Sequence, residues 1–226
     1  MRWRPVWKRL RYAWFLIFER HRYGRLVLEW VGGRPFVVLP QVFNPALFAS
    51  GQLLASEIER RDDLLPAGAR VLDLGTGSGL AAIAAARNAS SVVATDINPH
   101  AVRCARINAL LNGVEKRVEV RCGDLFDAVH GERFEVVLFN PPYYVGKPRD
   151  ALDQAWRSPD VIERFALGLP NALSADGHAL VVLSSDGEQD AFVQAFERQH
   201  LRVDVVARQD LLNETLTVYR VRVAPT

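Results

Sequence analysis

From Arg70 onward, short runs of β-branched and aliphatic residues alternate with longer stretches in which apolar positions recur every three or four residues. That alternation is the mark of a mostly parallel sheet covered by helices on both faces. It predicts strands at 70–74, 92–96, 117–121, 134–139 and 178–183. Helices are predicted at 79–88, 98–112 and 159–173 between them, with another at 188–199 after the fifth strand. Two further strand-like runs, Arg202–Ala207 and Thr215–Val223, are joined only by the short polar link Arg208–Glu214. A parallel return needs a crossover of about a dozen residues or more, so these two are expected to pair antiparallel. The expected fold class is α/β, a doubly wound, mostly parallel sheet with an antiparallel C-terminal strand.

The N-terminal stretch has a different pattern. Trp3, Trp7, Leu10 and Trp14 recur at helical spacing with Ile17 and Phe18 following, and Arg2, Arg4, Lys8, Arg9 and Arg11 fill much of the rest. This predicts a basic amphipathic helix over Met1–Gly24. Its longest apolar run, Tyr12–Phe18, falls far short of the ~20 residues that span a bilayer, and no small-residue cleavage site follows it. No membrane span and no signal peptide are expected. Leu26–Val31 and Phe36–Leu39 read as a hairpin about Gly32 and Gly33, expected to cover one end of the sheet. The domain division expected is an appendage at 1–40 and a catalytic domain at 41–226.

Composition adds exclusions. With 226 residues, 49% of them hydrophobic and 24% charged, and a mean hydropathy of −0.01, the chain is neither disordered nor collagenous and can bury a core. Cys104 and Cys122 lack the paired spacing of a zinc or redox motif, which suits packing roles and a reducing, cytoplasmic setting. His21, His100, His130, His178 and His200 are scattered without ligand spacing, and no metal is expected. The net charge of +2 hides an asymmetry: residues 1–25 hold eight basic residues against Glu19 alone, and the remainder holds twenty basic against twenty-five acidic. An acidic body argues against a catalytic face that grips a nucleic-acid backbone. The basic head is left as a possible RNA arm, although its tryptophan stripe is first expected to lie on the domain.

The chemistry is concentrated at predicted strand ends. Strand 70–74 runs into Asp73-Leu74-Gly75-Thr76-Gly77-Ser78-Gly79 and then an alanine-rich helix, so backbone can approach a ligand at a helix N-terminus. The spacing is G-x-G-x-G, with Leu80 where a dinucleotide fold would carry its third glycine, and no Gly-Lys-Ser/Thr follows to make a Walker loop. The next strand ends at Asp96-Ile97-Asn98-Pro99, about 20 residues beyond the glycine turn, where ribose hydroxyls are held in sheets of this type. Asp96 has a competing role as helix N-cap, for which Asn98 is better placed. Cys122-Gly123-Asp124-Leu125 puts another carboxylate at the same rim. Strand 134–139 ends in Asn140-Pro141-Pro142-Tyr143, two residues without N–H groups flanked by an amide and an aromatic ring. The Asn140 amide oxygen and the Pro141 carbonyl can together accept both hydrogens of one planar NH2 group, and Tyr143 can stack on its plane.

With these motifs the chain resembles the class I S-adenosylmethionine-dependent methyltransferases, with their Rossmann-like sheet. Within them it resembles the short branch of the HemK family of release-factor glutamine N5-methyltransferases, over roughly residues 36–223. The resemblance implies S-adenosyl-L-methionine as cofactor, bound at Asp73, Gly75, Thr76, Gly77 and Gly79, with Asp96 and Ile97 at the ribose and Asp124 and Leu125 on the adenine side. It implies catalysis by Asn140, Pro141, Pro142 and Tyr143, with Asn140 also touching the cofactor, and a protein partner such as a peptide-chain release factor. Val42-Phe43-Asn44-Pro45-Ala46-Leu47-Phe48 is similar to the family's pre-domain motif, but Leu47 and Phe48 stand where that branch has acidic residues. An amide nitrogen is a poor nucleophile, so such a site must work by orientation and electrostatics. The competing expectations are an adenine N6-methyltransferase acting on RNA or DNA, a small-molecule methyltransferase, and a non-catalytic partner subunit that binds through its tryptophan helix.

Overall fold

The computed structural model describes residues 25–148, 155, 157–212 and 214–224; the helix expected over Met1–Gly24 lies outside them. Strands β1 (Val27–Val31) and β2 (Arg34–Val38) form an antiparallel hairpin, and helix α1 (Ala49–Arg60) follows. The chain then alternates β3 (Arg70–Leu74), α2 (Leu80–Ala85), β4 (Ser91–Asp96), α3 (Pro99–Leu111), β5 (Val118–Cys122) and β6 (Phe134–Phe139). A short parallel pair, β7 (Tyr144–Val145) and β8 (Arg157–Ser158), flanks the irregular stretch after β6. Helix α4 (Val161–Ala172), β9 (Leu173–Ser184), α5 (Gln189–Arg198), β10 (Leu201–Asp210) and β11 (Thr215–Val223) complete the chain.

Seven strands form one sheet in the order β5-β4-β3-β6-β9-β11-β10. The pairs from β5 to β9 are parallel, whereas β11 is antiparallel to both of its neighbours. The antiparallel C-terminal strand is as expected, and its position is new: β11 inserts between β9 and β10, so β10 takes the edge. Strand order reverses between β3 and β6, and the crevice that such a reversal opens at the strand C-termini is where ligands sit in sheets of this kind.

Side chains alternate between two cores, because successive residues of a strand face opposite ways. Val71, Val92, Ala94, Val136 and Leu138 point to a core shared with α1, α2 and α3. Leu72, Leu74, Val93, Val137 and Phe139 point to the other, under α4 and α5. Helix α1 has no counterpart among the expected elements. Its buried positions, Ser50, Leu53, Leu54, Ala55, Glu57 and Ile58, follow helical spacing, but two of the six are polar and its N-cap, Phe48, makes no side-chain hydrogen bond. Strand β9 begins at Leu173 rather than near 178, because Leu173 already pairs with Phe134 before an irregularity shifts the register to Val136 and His178.

The hairpin is tied to α3. Fully buried Asn108 accepts from Val37 N and donates to Val37 O, each at 2.8 Å. Buried Glu29 accepts from the Asn44 side-chain amide at 2.9 Å, tying the Val42–Phe48 segment to the hairpin. Of the two cysteines, Cys104 is buried as expected but Cys122 is exposed at the end of β5, so it has no packing role. No helix among the described residues is long and apolar enough to cross a membrane.

Candidate active site

Strand parity decides where the acids point. Asp73 follows Val71 on the face covered by α2, so its carboxylate runs beneath the glycine turn. There Oδ2 accepts from the Thr76 hydroxyl at 2.6 Å and from Ala82 N at 3.1 Å. Ala82 is in the first turn of α2, whose N-cap, Gly79, has no side chain to offer. Burial pushes the Asp73 carboxyl up to about 7, against the opposing effect of the Thr76 and Ala82 hydrogen bonds. Asp73 thus lies under the turn as part of its scaffold.

The turn itself is held at several points. Gly75, Gly77 and Gly79 all lie in the left-handed region. A Cβ on Gly79 would also sit 3.3 Å from the Cα and Cβ of Ala105, so α3 closes on the turn there. A Cβ on Gly77 would meet nothing within 4 Å, which leaves open space over the turn for a ligand. Thr76 N donates to Thr95 O at 2.9 Å, and the Asn108 side chain donates to Ser78 O at 2.8 Å. Asn108 therefore bridges hairpin, helix and turn. Nothing in the sequence pattern marked it beyond an amide on an otherwise apolar helix face.

Asp96 shares the parity of Val92 and Ala94 and so faces the turn. Its Oδ2 accepts from Gly77 N at 2.8 Å and its Oδ1 from Asn98 N at 2.9 Å. Burial raises its pKa, while those two bonds favour the charged form. Asn98 is the N-cap of α3, its side chain accepting from His100 N at 2.9 Å, so Asp96 is not needed for that role. Further along the rim, Gly123 N donates to Asp96 O at 3.0 Å. Asp124 pairs with Arg164 of α4 at 2.8 Å. Leu125 is held in the left-handed region at φ 48°, and Ile97 is about half exposed. A flat heterocycle could be held between apolar Ile97 and Leu125 with a carboxylate at either side.

Asn140 follows Leu138 on the same face as Asp73 and Asp96, and there it meets α1. Its Nδ2 donates to the Ser50 hydroxyl at 3.3 Å and its Oδ1 accepts from the Tyr143 hydroxyl at 2.9 Å. The Tyr143 hydroxyl thus turns back onto Asn140. Burial raises the Tyr143 pKa, so the hydroxyl stays protonated and can donate. The register Leu74↔Phe139 sets Asn140 beside Gly75, and a Cβ on Gly51 would lie 3.7 Å from Asn140 Nδ2. Ser50 and Gly51 lie on α1, whose part-polar buried face and uncapped N-terminus leave no local signal in the sequence. The nearby departures from the pre-domain motif point inward: Leu47 is buried, and the Phe48 ring packs on Phe43 with centroids 4.5 Å apart.

Residues 34–210 match the family described as the methyltransferase small domain. The chain belongs to that family. It is an S-adenosylmethionine-dependent methyltransferase. It is 33% identical over 157 residues to a putative protein N5-glutamine methyltransferase of Methanocaldococcus jannaschii, an alignment covering 66% of this chain and 78% of the relative. It is 33% identical over 168 residues to the release factor glutamine methyltransferase of Cereibacter sphaeroides, covering 68% of this chain and 58% of that protein. Among solved structures, the ribosomal protein L11 methylase of Lactobacillus delbrueckii subsp. bulgaricus superposes with a TM-score of 0.61 at 23% identity, covering 79% of this chain and 80% of its own. That likeness shows the methyltransferase fold, with the same doubly wound sheet.

Proposed function

We propose that this methyltransferase acts on the side-chain amide nitrogen of a glutamine in a protein, of the release-factor type. The observation that carries the reading is Asn140, an oriented amide oxygen beside Pro141 at the end of β6, next to the glycine turn. The names of the relatives, both for glutamine methylation, support the same acceptor.

The open space over Gly77 and the carboxylates along the rim fit the cofactor. In this reading the backbone of Gly75–Gly79 receives it, Asp96 accepts from its ribose hydroxyls, and Ile97, Asp124 and Leu125 hold the adenine side. Asp73 and Thr76 shape the turn from below. When bound, S-adenosylmethionine supplies an electrophilic methyl group on a sulfonium sulfur. Asn140 Oδ1 keeps a second lone pair after accepting from Tyr143, and with the Pro141 carbonyl it accepts the two hydrogens of the acceptor amide. These bonds aim the nitrogen lone pair at the methyl group and stabilise the positive charge that grows on nitrogen during attack. One proton then leaves, so the product amide is neutral. The residues supply position and fixed dipoles rather than a strong base.

The basic N-terminal segment favours a second reading, in which the NH2 group belongs to adenine in RNA. Transfer of tritiated methyl groups from S-adenosylmethionine into a cell extract separates the two. Release of the acid-insoluble label by protease, with methylglutamine in the hydrolysate, is the expected result. Release by nuclease would overturn the glutamine reading.

A further inference from the structure

The turn between β9 and α5 presses on the loop that carries Asn140. A Cβ at Gly187 would lie 2.7 Å from the Tyr143 Cβ and 2.7 Å from the Tyr143 carbonyl oxygen, well inside van der Waals contact. The neighbouring Glu188 N–H donates to that same carbonyl at 3.1 Å. Gly187 lies outside the left-handed region, so its φ does not call for glycine. What requires glycine here is the closeness of Tyr143.

The turn is itself fastened to the sheet. Gly187 N donates to Ser184 O at 3.0 Å, and Asp186 N donates to the Ser184 hydroxyl at 3.0 Å. That hydroxyl donates to the Glu214 carboxylate at the head of β11. Ser185 N donates to Thr215 O at 2.9 Å and Thr215 N to the Ser185 hydroxyl at 2.9 Å. A contact chain therefore runs from β11 through the turn to the Tyr143 backbone, and from the Tyr143 hydroxyl to Asn140 Oδ1.

We propose that Gly187 and Glu188 are positioning residues for methyl transfer, setting the place of Tyr143 and, through its hydroxyl, the direction of the Asn140 amide. The inference rests on the acceptor-site reading above. It assigns a function to a turn some 45 residues beyond the motif it serves. A displacement of the order of 1 Å at a reacting centre can cost about 100-fold in rate.

The test uses the full chain with Gly187→Ala, Glu188→Pro and Asn140→Ala in parallel. Glu188→Pro deletes the N–H that reaches Tyr143 while sparing the helix, because Glu188 is the N-cap of α5 with φ −83°, close to the range of proline. Three quantities are read: the rate of methyl transfer into extract protein at saturating cofactor, the affinity for S-adenosylhomocysteine by calorimetry, and hydrogen exchange over residues 140–145. The expected result for both turn variants is a rate lowered roughly 10- to 100-fold, unchanged S-adenosylhomocysteine affinity, and faster exchange confined to that loop. A merely structural role would instead lower affinity and protection throughout. Full rate in Gly187→Ala and Glu188→Pro, with Asn140→Ala slow, overturns this inference alone. Full rate in Asn140→Ala removes the acceptor reading and this inference with it. If Gly187→Ala fails to fold, Glu188→Pro decides.

Discussion

The carboxylate of Asp73, at the penultimate position of β3, accepts a hydrogen bond at 3.1 Å from the backbone N–H of Ala82, nine residues later in the first turn of α2. It does what an N-cap side chain would do if the cap were not Gly79. The glycine that gives the turn its left-handed step thereby shifts the capping task to the strand below. This explains an acidic residue in a strand whose other positions are mostly apolar.

The same burial predicts a pH effect. With its native pKa raised to about 7 from an ordinary 3.8, Asp73 holds its proton in the folded state after the unfolded chain has lost it. The folded state binds more protons between those values, so this group's contribution falls as pH rises from about 4 to 7 and is level above that. The span is on the order of 4 kcal/mol. Urea unfolding of Asp73→Asn should show a flatter stability profile than the parent over that interval. Parallel profiles would remove Asp73 as the source.

Asn140→Ala should raise the barrier to methyl transfer by roughly 2.7–4 kcal/mol, the range for loss of one oriented hydrogen-bonding group in a preorganised site. Steady-state kinetics should show the change in kcat with S-adenosylmethionine affinity intact. Tyr143→Phe removes only the hydroxyl that donates to Asn140 Oδ1, and should lower kcat less. Unaltered kcat in Asn140→Ala would take the residue out of the mechanism.

For Asp96→Ala the split is reversed. Two backbone donors, Gly77 N and Asn98 N, lose their acceptor, and the proposed ribose contacts go with it. Calorimetry should find cofactor affinity weaker by about 1.5–3 kcal/mol, as for hydrogen bonds to a charged group. Affinity equal to that of the parent would show that the ribose lies elsewhere.

Asn108→Ala tests the bridge from hairpin to glycine turn. It orphans Val37 N, and leaves Val37 O and Ser78 O without the Asn108 donor, in a site where Asn108 is fully buried. Each buried polar group left unsatisfied costs about 1–3 kcal/mol. Chemical denaturation should show a loss of at least that size. A change below 0.5 kcal/mol, within the ordinary range for surface substitutions, would mean that water replaces the amide.

Much of the site was legible because its residues sit at strand ends that local patterning marks. The runs at 70–74 and 134–139 coincide with β3 and β6, and the glycine turn and Asn140 follow from where they stop. The N-cap role of Asn98 was legible too, since a side-chain acceptor followed by Pro99 is a local signal. Helix α1 was not, because its stripe is part polar and its N-terminus has no capping side chain. Ser50 was lost with it.

By itself, the order of residues determined the strands of the main sheet, the helices that follow β3 and the parity of each strand. Asp73, Asp96 and Asn140 each share a face with the aliphatic residues two positions before them, and that depends only on the two-residue repeat of an extended chain. What covers that face was decided by tertiary structure: α1 over Asn140, α2 over Asp73, and the glycine turn against Asp96. So were the insertion of β11 inside β10 and the meeting of Gly187 with Tyr143. Periodicity is a property of neighbours along the chain. The contact between Ser50 and Asn140 joins groups ninety residues apart, and such contacts depend on how whole faces bury one another, which no local repeat encodes.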